Sequence, residues 1–302
     1  MGIREKQPAP MAPLAGEHRR RFNWAPLAYM WSPTGVLLLF FAGPLFILGY
    51  FAFGDRTRTG SGAFTLDNFG SLSEPFYRTV AFDTLFIAVI AMLVIFLISY
   101  PLAYFIAFRA RGWEIPLLLI LALSDELNPL IRIFAWKVVL GREGVINTFL
   151  TWTGIVDEPL EWLIFTKFSV IVVLSAGWIA YAVLPIYGAM KTIDVAVLEG
   201  AQDLGAGWFT TWRKVLLPLT ATGFLATIII VFVPILSDFA APALVGGTEG
   251  VMLSTVIEEE YLTRGDWGVG SALTFALLLA SAGIVWLSYR ISNVKRLQTA
   301  RD

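Results

Sequence analysis

Blocks of about 20 consecutive apolar residues recur along this chain of 302 and decide most of what it can fold into. At about 1.5 Å of rise per residue, such a block crosses a hydrocarbon core of about 30 Å as a single helix. Composition agrees: 57% of the residues are hydrophobic and 15% charged, with a mean hydropathy of +0.71, whereas soluble domains are about a quarter charged. The sequence therefore predicts an all-α integral membrane protein with spans at about 34–53, 84–108, 113–133, 168–190, 219–240 and 269–289. Residues 1–33 form an N-terminal polar segment, 34–290 one transmembrane domain with a polar loop at 191–218, and 291–302 a tail. The first block is too long for a signal-peptide core and no small-residue cleavage site precedes it, so it is expected to stay as a helix.

Six crossings place both termini on one side. With the N-terminus inside, the cytoplasmic segments collect Arg4, Lys6, Arg19 to Arg21, Arg109, Arg111, Lys191, Arg213, Lys214 and the basic residues after Tyr289. About half as many lie in the outer loops, where the acidic run Glu258, Glu259, Glu260 offsets them. The bias of basic residues thus makes both termini and the 191–218 loop cytoplasmic. Prolines inside the blocks, among them Pro101, Pro116, Pro185 and Pro234, read as ordinary kinks of a membrane bundle.

Several chemistries are excluded early. With no cysteine there is no disulfide, thiol nucleophile or thiolate metal site. The single histidine, His18, lies outside every apolar block, and no Gly-rich phosphate loop is present, so neither a metal site nor an ATPase is expected in this chain. A net charge of -1 carries no signal for nucleic acid.

The 191–218 loop holds the most specific pattern. Val195, Leu198, Ala201 and Gln202 share a helical face, Asp194 suits an N-cap, and Gly205 with Gly207 would stop the helix at left-handed or otherwise strained positions. Trp208, Phe209 and Trp212 give a second short helix an apolar side, with Arg213 and Lys214 near the headgroups and Pro218 in the first turn of the fifth span. The expectation is a helical knob projecting into the cytoplasm.

Glu199, Ala201, Gly205, Leu217 and Pro218 fall on the anchors of the cytoplasmic signature of ATP-binding-cassette importer permeases, with Val215 in place of isoleucine and Gly200 in place of an alanine. The chain resembles that family from roughly Thr84 to the end of the sixth span. The resemblance implies a type I importer permease (MetI-like) architecture whose coupling helix docks on a nucleotide-binding subunit. It carries over a coupling role to Glu199, Gly200, Ala201, Asp203, Gly205 and Pro218. It further implies two ATP-binding subunits that hold the ATP and Mg, a second permease making a heterodimer, an external substrate-binding protein, and no cofactor in this chain. The multi-pass protein would sit in the bacterial cytoplasmic (inner) membrane. An amphipathic helix lying on lipid, anchored by Trp208 and Trp212, is the other reading of the same loop.

Two further stretches, Ser124 to Trp136 and Asp238 to Gly247, resemble permeases for spermidine, putrescine and opine-like substrates. Within them Asp125, Glu126, Asn128, Arg132, Trp136 and Asp238 are candidates for the substrate pathway. Ionised acids inside a bilayer cost about 2.5–3.5 kcal/mol each by insertion scales, so they face a cavity or a partner. Counting from Trp113 puts Asp125 about 18 Å above the cytoplasmic face, and Arg132 about two turns further along the same helix. The acids either draw in a cationic cargo, with Trp136 offering an aromatic face, or pair structurally with Arg132. Asp238 either lines the path or caps a re-entrant turn, and Glu258 to Glu260 form a solvated face or a docking surface. The remaining alternatives are an ion-driven secondary transporter and an importer with opine, amino-acid-like or phosphonate cargo.

Overall fold

The structure is a computed structural model that describes residues 31, 34–54, 64–125 and 128–299, with side chains for all of these except 124, 125 and 291–299. The chain divides into two compact units, Met1–Ile47 and Leu48–Asp302. In the first, residues 34–47 are helical, with one π-helical turn at Leu38–Ala42. They open α1 (Thr34–Ala52), whose last residues belong to the second unit.

All regular secondary structure among the described residues of the second unit is helical, apart from an isolated bridge between Gly54 and Phe64. Its helices are α2 (Pro75–Arg109), α3 (Glu114–Asp125), α4 (Pro129–Leu140), α5 (Val145–Trp152), α6 (Lys167–Lys191), α7 (Val195–Asp203), α8 (Trp208–Leu219), α9 (Ala221–Ser237), α10 (Leu253–Glu259) and α11 (Trp267–Thr299). Among the described residues, α1, α2, α6 and α11 are long and apolar enough to cross a membrane, and α8 with α9 makes a fifth if the bent pair is one span.

Local chemistry sets the boundaries. Pro75 opens α2, where its missing N–H is not needed. Thr166 and Ser169 form a reciprocal capping box at the start of α6. Asp266 accepts from the Val269 N–H at the start of α11.

The expected third span, 113–133, is not one helix. Asn128 takes an extended ψ of 125° because Pro129 disfavours helical backbone before it, and its side chain accepts from the Leu130 N–H to start α4 afresh. The expected fifth span differs too. Pro218 does not begin it but closes α8, and a 63° bend at Thr220 separates α8 from α9.

Three apolar clusters hold the bundle. The largest joins Ile87, Ala91 and Ile95 of α2 to Val170, Val173 and Leu174 of α6 and Val231, Ile235 and Leu236 of α9. Gly223 permits the close approach of α9 to α6, since a Cβ there would lie 2.8 Å from the Pro185 carbonyl oxygen. A second cluster packs Tyr100, Ala103 and Ile106 against Ile186, Met190, Leu198 and Leu216. The third, at the opposite end of α2, joins Tyr77 and Val80 to Leu253, Val256, Val269 and Leu273.

Candidate functional site

The signature residues lie on a hairpin of two short helices, α7 and α8. Asp194 caps α7 by accepting from the Ala196 N–H at 3.0 Å. At the other end the Ala206 N–H reaches the Ala201 carbonyl at 3.1 Å and the Gly205 N–H the Gln202 carbonyl at 2.8 Å, with Gly205 at φ +82°. This paired termination satisfies two otherwise orphaned carbonyls and needs a left-handed residue, which glycine supplies without strain. Gly207, by contrast, is extended at φ -65° and simply starts α8.

Burial on the hairpin is one-sided. Leu198 alone among the expected face residues is buried; Ala201 is half-buried, Val195 and Gln202 exposed. Glu199, Gly200, Asp203 and Gly205 all face outward, and Leu204 is 90% exposed. A side chain at Gly200 would meet nothing within 4 Å. Exposed Trp208 and Phe209 extend this apolar surface, while Trp212 turns back onto Tyr100.

The root of the hairpin is tied down. Thr220, fully buried at the bend, donates to the Leu216 carbonyl and shares a 3.2 Å hydrogen bond with the Tyr100 hydroxyl of α2. Lys191, the last residue of α6, pairs with Glu114 at 2.8 Å, and Tyr187 donates to the same carboxylate. Nothing in the spacing of Glu114 and Lys191 announces that pair, because it joins the start of α3 to the end of α6, far apart in sequence.

The second group of candidates is split by the break before α4. Asp125 ends α3 with its side chain outside the described residues, and Glu126 lies outside them altogether. Arg132 therefore does not continue the helix of Asp125, as the count along one span assumed. It lies instead against Gly177 of α6, where a Cβ would sit 3.3 Å from its guanidinium. Trp136, one turn along α4, packs on the largest apolar cluster, and Asn128 is used as the α4 cap.

Asp238 follows α9, and its carboxylate accepts from the Ala241 N–H at 3.1 Å, capping the turn that leads into Pro242–Gly246. Burial is the largest influence on this carboxylate, and the Arg132 guanidinium lies within electrostatic range of it. Beyond them, Gly247 at φ +57° leaves only 2.6 Å between an added Cβ and the Phe165 carbonyl oxygen, which accounts for glycine there.

Glu260 corrects an expectation. It is 2% exposed rather than solvated, accepting from the Tyr77 hydroxyl at 2.7 Å and from Arg264 at 2.9 Å. Its carboxylate holds the pKa of Arg264 above the ordinary value. Only Glu259 of the run is exposed, and it too pairs with Arg264.

A family model described as binding-protein-dependent transport system inner membrane component matches residues 79–294. The chain belongs to that family. It is accordingly a multi-pass inner-membrane transport component and not itself an enzyme. It is 32% identical over 263 residues, 86% of this chain and 95% of the relative, to the spermidine/putrescine transport system permease protein PotB of Escherichia coli K12. The Haemophilus influenzae PotB is 33% identical over 79% of this chain and 84% of its own length. Among solved structures, a chain of a bacterial ABC transporter for alginate import matches with a TM-score of 0.68 at 19% identity, covering 89% of this chain and 95% of that one. A chain of the inward-facing methionine ABC transporter gives 0.54 at 16%, covering 74% and 99%. These likenesses show the type I importer permease fold.

Proposed function

We propose that the chain is one of two permeases of an ATP-driven importer, forming part of the path by which spermidine, putrescine or a similar small polyamine enters the cell. The cargo rests on the names of the relatives, which match nearly their whole length. The coupling role rests on one observation: a hairpin capped at both ends that presents Glu199, Asp203 and Leu204 to solvent with none of the other described residues over them. In this reading two ATP-binding subunits receive α7, a second and different permease completes the path, and an external binding protein delivers cargo. ATP and Mg belong to those partners, and this chain carries no cofactor.

The topology proposed is six crossings with both termini cytoplasmic, α3 and α4 together making the third and α8 with α9 the fifth. The excess of Arg and Lys in the segments that this places inside supports it. Arg132 and Asp238 would line the path, with Trp136 beside them.

The test is reconstitution of the whole importer in liposomes, with radiolabelled spermidine uptake and ATP hydrolysis read together. Glu199→Ala and Leu204→Asp should insert normally yet lose transport-coupled hydrolysis. Uptake that persists without any ATPase would sink the importer reading, whereas hydrolysis that ignores spermidine would sink the cargo alone.

A further inference from the structure

The hairpin joins the bundle at two points, and these are tied to different helices. Where α8 meets α9, Thr220 is held by Tyr100 of α2. Where α6 meets α7, Lys191 is held by Glu114, the first residue of α3. Tyr187 and Lys191 stand one turn apart on α6, and both reach the same Glu114 oxygen, Oε2, at 3.2 and 2.8 Å. The Lys191 ammonium also lies 5.9 Å from the centre of the Tyr187 ring, so the three side chains form one closed contact.

Between Lys191 and the cap of α7 there is little slack. The Thr192 hydroxyl donates to the Ala189 carbonyl at 2.8 Å and the Ile193 N–H to the Met190 carbonyl at 3.1 Å, which folds this connection back onto α6. Asp194 then starts α7, whose Leu198 is buried in the same apolar cluster as Met190. Displacement of the hairpin therefore reaches Lys191 directly.

α3, at the other end of the pair, is weakly held. Among its described side chains, 114–123, none is buried: Glu114, Leu117, Leu118 and Leu121 are half-buried and the others exposed. It is a separate helix from α4, which starts afresh at Pro129, and it follows α2 through a turn at Gly112, where φ is +81°. Packing alone does not oblige such a segment to move with α6, whereas a shared carboxylate does. The pair also adds little to folding stability, since the Lys191 and Glu114 side chains are 41% and 26% exposed.

We propose that Glu114 is a positioning residue for coupling: it makes α3 follow the root of the hairpin, so that a partner's stroke moves the inner half of the third span together with α9. This role rests on the coupling function and the topology proposed above.

The complete importer is reconstituted in liposomes, and spermidine uptake, ATP hydrolysis and the unfolding midpoint are read for each variant. Glu114→Gln and Lys191→Met should each lower the spermidine taken up per ATP hydrolysed by about fivefold, within the range that single changes along a coupling route produce, with the midpoint unchanged. The double variant should do no worse than either single one, and Lys191→Arg should keep the wild-type ratio. Hydrogen exchange supplies a readout that a merely structural pair would not move. In the wild type, trapping the ATPase with vanadate should alter exchange in both 195–206 and 114–123. In Glu114→Gln the change in 195–206 should persist and that in 114–123 should vanish. A wild-type uptake ratio in Glu114→Gln, additive losses in the double variant, a response of α3 that survives the substitution, or a fall in midpoint that accounts for the lost uptake would each overturn the proposal. Glu199→Ala in the same vesicles tests the coupling reading separately. If it couples like wild type, that reading falls; if it uncouples while Glu114→Gln does not, only the role of Glu114 fails.

Discussion

The two ends of α2 are finished in different ways. At the Pro75 end, polar groups close on one another: Glu260 is held by Tyr77 and Arg264, Lys167 pairs with Asp83, Asn68 donates to the carbonyls of Ala52 and Gly54, and Thr84 accepts from the Leu253 N–H. At the Arg109 end the hairpin spends its hydrogen bonds on its own caps and leaves Leu204, Trp208 and Phe209 bare. Apart from the buried Asn68 Oδ1, which has no hydrogen-bond partner, these polar groups at the first end find their partners within the chain. An apolar, well-ordered but uncovered surface of the second kind is what an interface looks like before its partner arrives.

If that contrast is right, stability and coupling should respond to different residues. Glu260→Ala should be the most destabilising change, by about 2–3 kcal/mol, because it leaves the buried Tyr77 hydroxyl without its acceptor and takes from Arg264 one of its two carboxylates. Thermal unfolding of the detergent-solubilised protein measures it, and an unchanged midpoint would break the comparison. Gly205→Ala should cost about 1–2 kcal/mol, the penalty of a left-handed alanine, confined to the hairpin. Hydrogen exchange should then rise in 195–206 alone, with coupled ATP hydrolysis lost. Thr220→Val, which unties the bend from Tyr100, should cost about 1 kcal/mol and raise exchange across 212–224. The smallest effect, in the opposite direction, is Gly200→Ala, which should stabilise α7 by about 0.5–1 kcal/mol since nothing stands in the way of the new methyl. Tighter binding of the ATPase in that variant would sharpen the contrast. Weaker binding would mean the partner needs the bare backbone there.

How legible this was from sequence follows the range of the interactions involved. The caps at Asp194 and Gly205 were readable because both act within a few residues of themselves. The break in the third block was written locally as well, in Asn128-Pro129, but a hydropathy window averages over it. Glu260 was misjudged because its partner Tyr77 lies 183 residues away, and a run of three acids looks alike whether solvated or sealed. The count that sets Arg132 two turns above Asp125 needs one unbroken helix, and a count along the sequence does not register the new start at Asn128-Pro129.

Under the coupling role proposed above, the 63° bend at Thr220 determines what a partner's push can accomplish. Were α8 and α9 collinear, thrust on the hairpin would travel down the axis and drive the helix like a piston, which a membrane helix resists by dragging its ends out of register with the bilayer. With the elbow set well past 45°, more of the thrust acts across α9 than along it. The pair then works as a crank: a small stroke at the tip becomes sideways swing and rotation of the inner helix, leaving its depth in the membrane nearly unchanged.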